Sequence, residues 1–90
     1  MSYFTYILYS HSFDKFYYGQ TNSIEKRLVA HNSGLVNSTK KYRPWKLYAY
    51  IECANRKEAC KFESQIKNLK SRSRVKEYLI RKNFIFCNEK

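Results

Sequence analysis

Residues 3–10 read YFTYILYS, aromatic or apolar at nearly every position. A strand with one wet face alternates apolar and polar residues. A run as apolar as this one suits a strand buried on both faces. It must be covered above and below, which sets the plan for the rest of the chain.

HSFD (11–14) is a polar turn, and residues 14–19 (DKFYYG) form a second short strand that ends at Gly19. The two strands make a hairpin. Asn22 then opens a helix, with Glu25 three residues on as a capping box requires. Ile24, Leu28 and Leu35 mark its buried stripe, and Gly34 closes it as a C′ glycine. Residues 36–44 are a basic loop ending in the only proline. From Trp45 to Cys53, Trp45, Leu47, Ala49, Ile51 and Cys53 alternate with Lys46, Tyr48, Tyr50 and Glu52. That is a period-2 strand with one face on the core. Asn55 and Glu58 start a second helix, whose Ala59, Phe62, Ile66 and Leu69 face the sheet. SRS (71–73) interrupts, and a third short helix follows through Val75, Leu79 and Ile80. The tail from Asn83 is open between an added strand and a frayed end. The order ββαβα plus a helix predicts an α+β fold with a small sheet, and 90 residues make one domain with its core over 3–82.

Charge narrows the partner. Eighteen Lys and Arg face seven Asp and Glu, a net charge of +11. Such a field favours a polyanion, with nucleic acid ahead of an anionic membrane surface or a basic surface that has no such partner. No basic amphipathic stretch with a Trp/Leu face speaks for the membrane. No run approaches the length of a membrane span, and the N-terminus lacks the positive region and cleavage site of a signal peptide. Three cysteines (Cys53, Cys60, Cys87) without metal-ligand spacing fit a reducing cytoplasm. The basic residues are clustered: residues 37–48 hold four and no acid, and residues 56–82 hold ten against three acids. Lys40, Lys41, Arg43, Lys67, Lys70, Arg72 and Arg74 are the expected phosphate contacts, and these stretches also suit the solvated faces of helices.

A few residues suggest chemistry. With Tyr9 opposite Asp14, Tyr6 falls opposite Tyr17, and two phenols share a sheet face. Arg27 and His31 stand i,i+4 on one helical face. A guanidinium can hold a phosphate in bidentate fashion, and a histidine beside it can accept a proton near neutral pH. Glu63 lies at the edge of the apolar stripe of the second helix, where its carboxylate can run along the sheet. Each residue alone has an ordinary structural explanation. Together they match what phosphodiester hydrolysis needs: a base for water, a cation at the phosphate, and an acid or metal for the leaving oxygen.

The blocks TYILYS, FYYGQTNSIEKRLVAHNSG, STKKYRPWKL and EACKFESQIKNLK span residues 3–82. Their order resembles the GIY-YIG nuclease family, in particular the small stand-alone bacterial members related to the catalytic module of the UvrC excision-repair nuclease. The resemblance implies a central three-stranded antiparallel sheet flanked by helices, and Mg²⁺- or Mn²⁺-dependent hydrolysis of DNA in repair, recombination or processing. It makes Tyr6 the tyrosine of the first motif half and Tyr17 that of the second. It makes Arg27 the residue that neutralises transition-state charge, His31 a candidate base or phosphate contact, and Glu63 the metal ligand. The motif halves read Thr5-Tyr6-Ile7 and Tyr17-Tyr18-Gly19, and Gln20, a nucleic-acid contact, stands where several members carry lysine. Tyr6, Tyr17 and His31 all remain open as the base. Nothing resembles a base-reading element, so specificity falls to DNA shape, the 36–44 loop or a protein partner. The competing reading is a non-catalytic nucleic-acid-binding module that keeps the fold.

Overall fold

The computed structural model describes residues 2–87. The elements are β1 (Tyr3–Ser10), β2 (Lys15–Thr21), α1 (Ile24–Asn32), a 3₁₀ turn (Lys40–Tyr42), β3 (Lys46–Cys53), α2 (Arg56–Leu69), α3 (Arg72–Arg81) and β4 (Ile85–Phe86). The strands form one antiparallel sheet in the order β2-β1-β3-β4. The expected three-stranded sheet is present, with β4 added to one edge. β4 and the buried Phe84 show the tail packing as far as Cys87. Residues 88–90 lie outside the described residues.

β1 is central and buried on both sides, as its composition requires. Ile7 joins Ala49, Ile66, Val75, Tyr78, Leu79 and Phe84 beneath α2 and α3. Tyr6 and Leu8 join Trp45 on the other face, with Ile24 and Leu28 of α1 packed against them. Two cores thus sandwich one sheet.

Four local expectations change. First, β3 does not keep one face on the core. Ile7 pairs with Ala49 but Leu8 pairs with Leu47, so Tyr48 is an extra residue. This bulge switches sides, putting Leu47 with the Tyr6 core and Ala49 and Ile51 with the Ile7 core. Second, the α1 cap is Ser23, not Asn22. Thr21 hydrogen-bonds the Ser23 N–H at 3.1 Å and its C=O at 3.2 Å, and Ser23 Oγ accepts from the Lys26 N–H at 3.4 Å. Third, Leu35 is not part of the buried stripe. Gly34 (φ 83°) terminates α1 as predicted, with Gly34 N–H donating to His31 C=O and Leu35 N–H to Ala30 C=O. This leaves the Leu35 side chain 77% exposed. Fourth, α3 begins at Arg72 with Ser71 as its cap residue and buries Tyr78, while Ile80 points outward. The Asn55 cap of α2 forms as predicted: its side chain accepts from the Glu58 N–H at 2.9 Å, and Glu58 reaches back to the Ala54 N–H at 2.8 Å.

Candidate active site

The hairpin register differs from the assumed one. Tyr9 pairs with Phe16, so Tyr6 lies opposite Gly19 and Leu8 opposite Tyr17. The two tyrosines are diagonal neighbours on one face, with ring centroids 6.2 Å apart. Gly19 does not end β2 but lies inside it. A Cβ there would stand 2.7 Å from Tyr6 Oη, 2.8 Å from Tyr6 Cζ and 3.1 Å from Tyr17 Cε2. The Tyr6 phenol therefore lies over bare backbone, a close approach that only glycine allows.

α1 crosses this face and lowers His31 onto the phenols. His31 is fully buried, with its ring centroid 4.8 Å from that of Tyr17. Its Nε2 is 3.1 Å from Tyr6 Oη, and its Nδ1 is 2.8 Å from Thr39 Oγ1. Thr39 spends its own hydrogen on the Val36 C=O at 3.3 Å. Its oxygen is therefore left to accept from Nδ1–H, which makes Nε2 the lone-pair nitrogen that receives the Tyr6 hydroxyl proton. Burial, then the Arg27 charge, lowers the His31 pKa from 6.5 to about 4. The imidazole is neutral at physiological pH, an acceptor and not a cation.

Thr39 is the residue that sequence reasoning missed, along with the frame that holds it. Its C=O accepts from the Trp45 indole N–H at 2.9 Å, and the Asn32 side chain brackets the Trp45 backbone with bonds of 3.0 and 2.6 Å. α1, the basic loop and the start of β3 are tied into one wall behind His31. Nothing periodic in the loop sequence marks Thr39, because its role comes from a turn that the Trp45 anchor sets.

Arg27, one turn before His31, meets the same phenols. Its interaction with Tyr6 raises its pKa further, burial opposes this, and the Tyr6 and Tyr17 oxygens reinforce it. Its Nε is buried and has no acceptor. Burial raises the Tyr6 pKa, Arg27 counters, and Tyr17 and Glu63 add to it, so Tyr6 is a protonated phenol at neutral pH. The site is thus a neutral proton line of Tyr6, His31 and Thr39 beside a guanidinium with one unsatisfied N–H.

Glu63 approaches from the other side. α2 packs on the Ile7 face, and β2 is the edge strand between them. Among the described residues, charge and not a hydrogen bond links Glu63 to the cluster: its carboxylate is felt at Tyr6, and the Lys67 ammonium interacts with Tyr17. Glu63 is partly buried and paired with Lys67 Nζ at 2.7 Å. No group of three or more His, Cys, Asp or Glu that could cage a metal occurs among the described residues.

The expected phosphate contacts divide. Lys40, Lys41, Lys70 and Arg74 are exposed, and Gln20 is half-buried in β2. Lys67 is held by Glu63. Arg72 is committed within the chain, with Nη1 3.0 Å from both Asp14 carboxylate oxygens and the guanidinium over the Phe16 ring. Arg43 donates to the Lys40 C=O at 2.6 Å and lies against Gly34. These two arginines fasten loops before they can hold a ligand. Cys53 and Cys60 are free thiols, and no helix among the described residues is long and apolar enough to cross a membrane.

The UPF0213 protein YsiG of Lactococcus lactis subsp. lactis (strain IL1403) is 39% identical over 88 residues, spanning 92% of this chain and 84% of its own. The solution NMR structure of the UPF0213 protein BH0048 from Bacillus halodurans is 31% identical, with a TM-score of 0.52, covering 89% of this chain and 83% of that one. The family model of the GIY-YIG catalytic domain matches residues 2–78, a span that takes in both phenols, the whole of α1 and the Glu63 helix. A sheet with a glycine bared beneath one tyrosine, read with that match, places the chain in the GIY-YIG family, with the nuclease fold of its catalytic domain.

Proposed function

We propose that this chain is an endonuclease that hydrolyses DNA phosphodiester bonds with a divalent cation, acting in DNA repair, recombination or processing in the cytoplasm. The observation that carries the reading is the buried, acceptor-less Nε–H of Arg27 between two phenols. An orphaned N–H on a cation calls for an anionic oxygen, and a phosphate is one source of it. The family match gives that anion its class.

The donor set is compatible with Mg²⁺ or Mn²⁺. Glu63, Tyr6 and Tyr17 offer oxygen only, and Mg²⁺ is commonly held by one or two carboxylates while keeping several waters. Glu63 would hold the cation, which when bound supplies charge stabilisation to the phosphate and leaving oxygen. The remaining work falls to this chain's own side chains. Arg27 binds and orients a non-bridging phosphate oxygen and balances the charge that builds there. As water attacks the phosphorus and the P–O bond to the leaving oxygen breaks, Tyr6 takes the water's proton at its hydroxyl oxygen while its own proton passes to His31 Nε2, and solvent returns a proton to the leaving oxygen. Thr39 keeps that nitrogen unprotonated beforehand and stabilises the Nδ1–H of the imidazolium that results. Gly19 lets the phenol stay over the strand, in line with both.

Plasmid nicking tests the proposal. Purified protein should nick supercoiled DNA with Mg²⁺ or Mn²⁺ and stop with EDTA. Glu63→Ala should abolish cleavage without a change in fold, and Arg27→Ala should lower it about 10²–10³-fold. The second reading, a binding module without catalysis, is favoured by the Lys67 ammonium on the Glu63 carboxylate. It predicts salt-sensitive DNA binding indifferent to EDTA and to Glu63→Ala, with no nicking.

A further inference from the structure

The β1–β2 turn leaves Phe13 49% exposed at its tip. Its ring packs edge-on against Tyr42, leaves about half of its surface to solvent, and ends a continuous path of rings. From Tyr6 the ring centroids step 6.2 Å to Tyr17, 6.4 Å to Trp45, 6.5 Å to Tyr42 and 5.4 Å to Phe13. Lys15 and Lys41 lie over the Tyr42 ring, with Nζ 5.0 and 5.8 Å from its centroid. Both lysines are exposed. An aromatic ring flanked by exposed cations, on the same face as the candidate site, is how proteins hold single-stranded nucleic acid. Bases stack on rings, and the backbone runs along the positive charge.

We infer that Phe13 is a stacking platform for an unpaired nucleobase of the substrate, with Lys15 and Lys41 taking the adjoining phosphates. The candidate nuclease would thereby prefer DNA with unpaired nucleotides a few residues from the cleaved bond. A fully paired duplex keeps its bases stacked inside and offers Phe13 no base face, so the contact discriminates by strand state and not by sequence. The inference rests on nucleic acid being the partner of the Tyr6–Arg27 site.

The test measures binding and needs no catalysis. Fluorescence anisotropy in EDTA compares a fully paired duplex with the same duplex carrying a gap of unpaired thymidines. The proteins are wild type, Phe13→Ala and the ring-retaining Phe13→Tyr, each checked for an unchanged melting curve. Wild type should bind the gapped DNA more tightly. Phe13→Ala should weaken that binding about tenfold, the scale of one base–aromatic stack, and shift duplex binding less than twofold. Phe13→Tyr should behave as wild type. Equal binding of both DNAs by Phe13→Ala and wild type, or equal losses on both DNAs, overturns the platform and leaves the nuclease reading standing. A wild type that binds neither DNA at low salt overturns both.

Discussion

Replacing Gly19 with alanine tests whether the site is built as described. The new Cβ would stand 2.7 Å from Tyr6 Oη and 2.8 Å from Cζ, where ordinary contacts exceed 3.4 Å. Tyr6 is 1% exposed, so its ring cannot swing into solvent. It has to be displaced by about half an ångström or more within a packed core, which costs about 1–3 kcal/mol. The same displacement strains the 3.1 Å bond to His31 Nε2, worth about 1 kcal/mol. The combined loss is about 2–4 kcal/mol. At about 4–8 °C per kcal/mol for a domain of this size, the melting temperature falls by about 8–30 °C. Thermal unfolding by circular dichroism reads the loss, and pairing the change with Tyr6→Phe separates its causes. Removing the hydroxyl removes the shortest contact, so Gly19→Ala costs less in the Tyr6→Phe background than in wild type. A Gly19→Ala protein that melts within about 2 °C of wild type, or a cycle with no coupling, would refute the close approach of the phenol to the strand.

His31 gives a pH dependence with a definite sign. Its folded pKa of about 4 lies below the ordinary 6.5 because burial disfavours the cation, so the native state binds fewer protons than the unfolded one. That stability is whole above pH 6.5, is lost as pH falls towards 4, and amounts to about 3 kcal/mol. Denaturant unfolding from pH 7 to 4 should show the loss, and His31→Gln should flatten it. Thr39→Val removes the acceptor that fixes the imidazole tautomer. We expect a stability loss of about 1–3 kcal/mol and, by ¹⁵N NMR, a His31 no longer locked with its proton on Nδ1.

What could be read from the chain was whatever followed a period or a short-range rule. β1 announced its double burial by having almost no polar residue. α2 announced its stripe and its Asn55 cap by spacing alone. The hairpin register was not legible, because a turn of that length allows several pairings. The contact that selects one, Tyr6 over Gly19, joins residues 13 positions apart. The β3 bulge was hidden for a related reason. Trp45 to Cys53 alternates well enough to read as a regular strand, and Tyr48 is extra only relative to β1. Arg27 and His31 could be placed on one face from i,i+4 spacing. The role of Thr39 could not, since it depends on a loop that Asn32 and Trp45 fold back. Glu63 was recognised from the resemblance and from its place at the stripe edge, and its pairing with Lys67 is an ordinary consequence of i,i+4 spacing.

The central claim is that Glu63 shares one anion-facing site with the two phenols and Arg27 across the edge of β2. Paramagnetic broadening by Mn²⁺ tests it without any assumption about rate. Substoichiometric Mn²⁺ should selectively broaden the ring resonances of Tyr6 and Tyr17, and Glu63→Ala should remove that broadening while the rest of the spectrum stays native. Broadening of the phenols that survives in Glu63→Ala, or Mn²⁺ effects confined to the outer surface of α2 with the phenols untouched, would contradict the account.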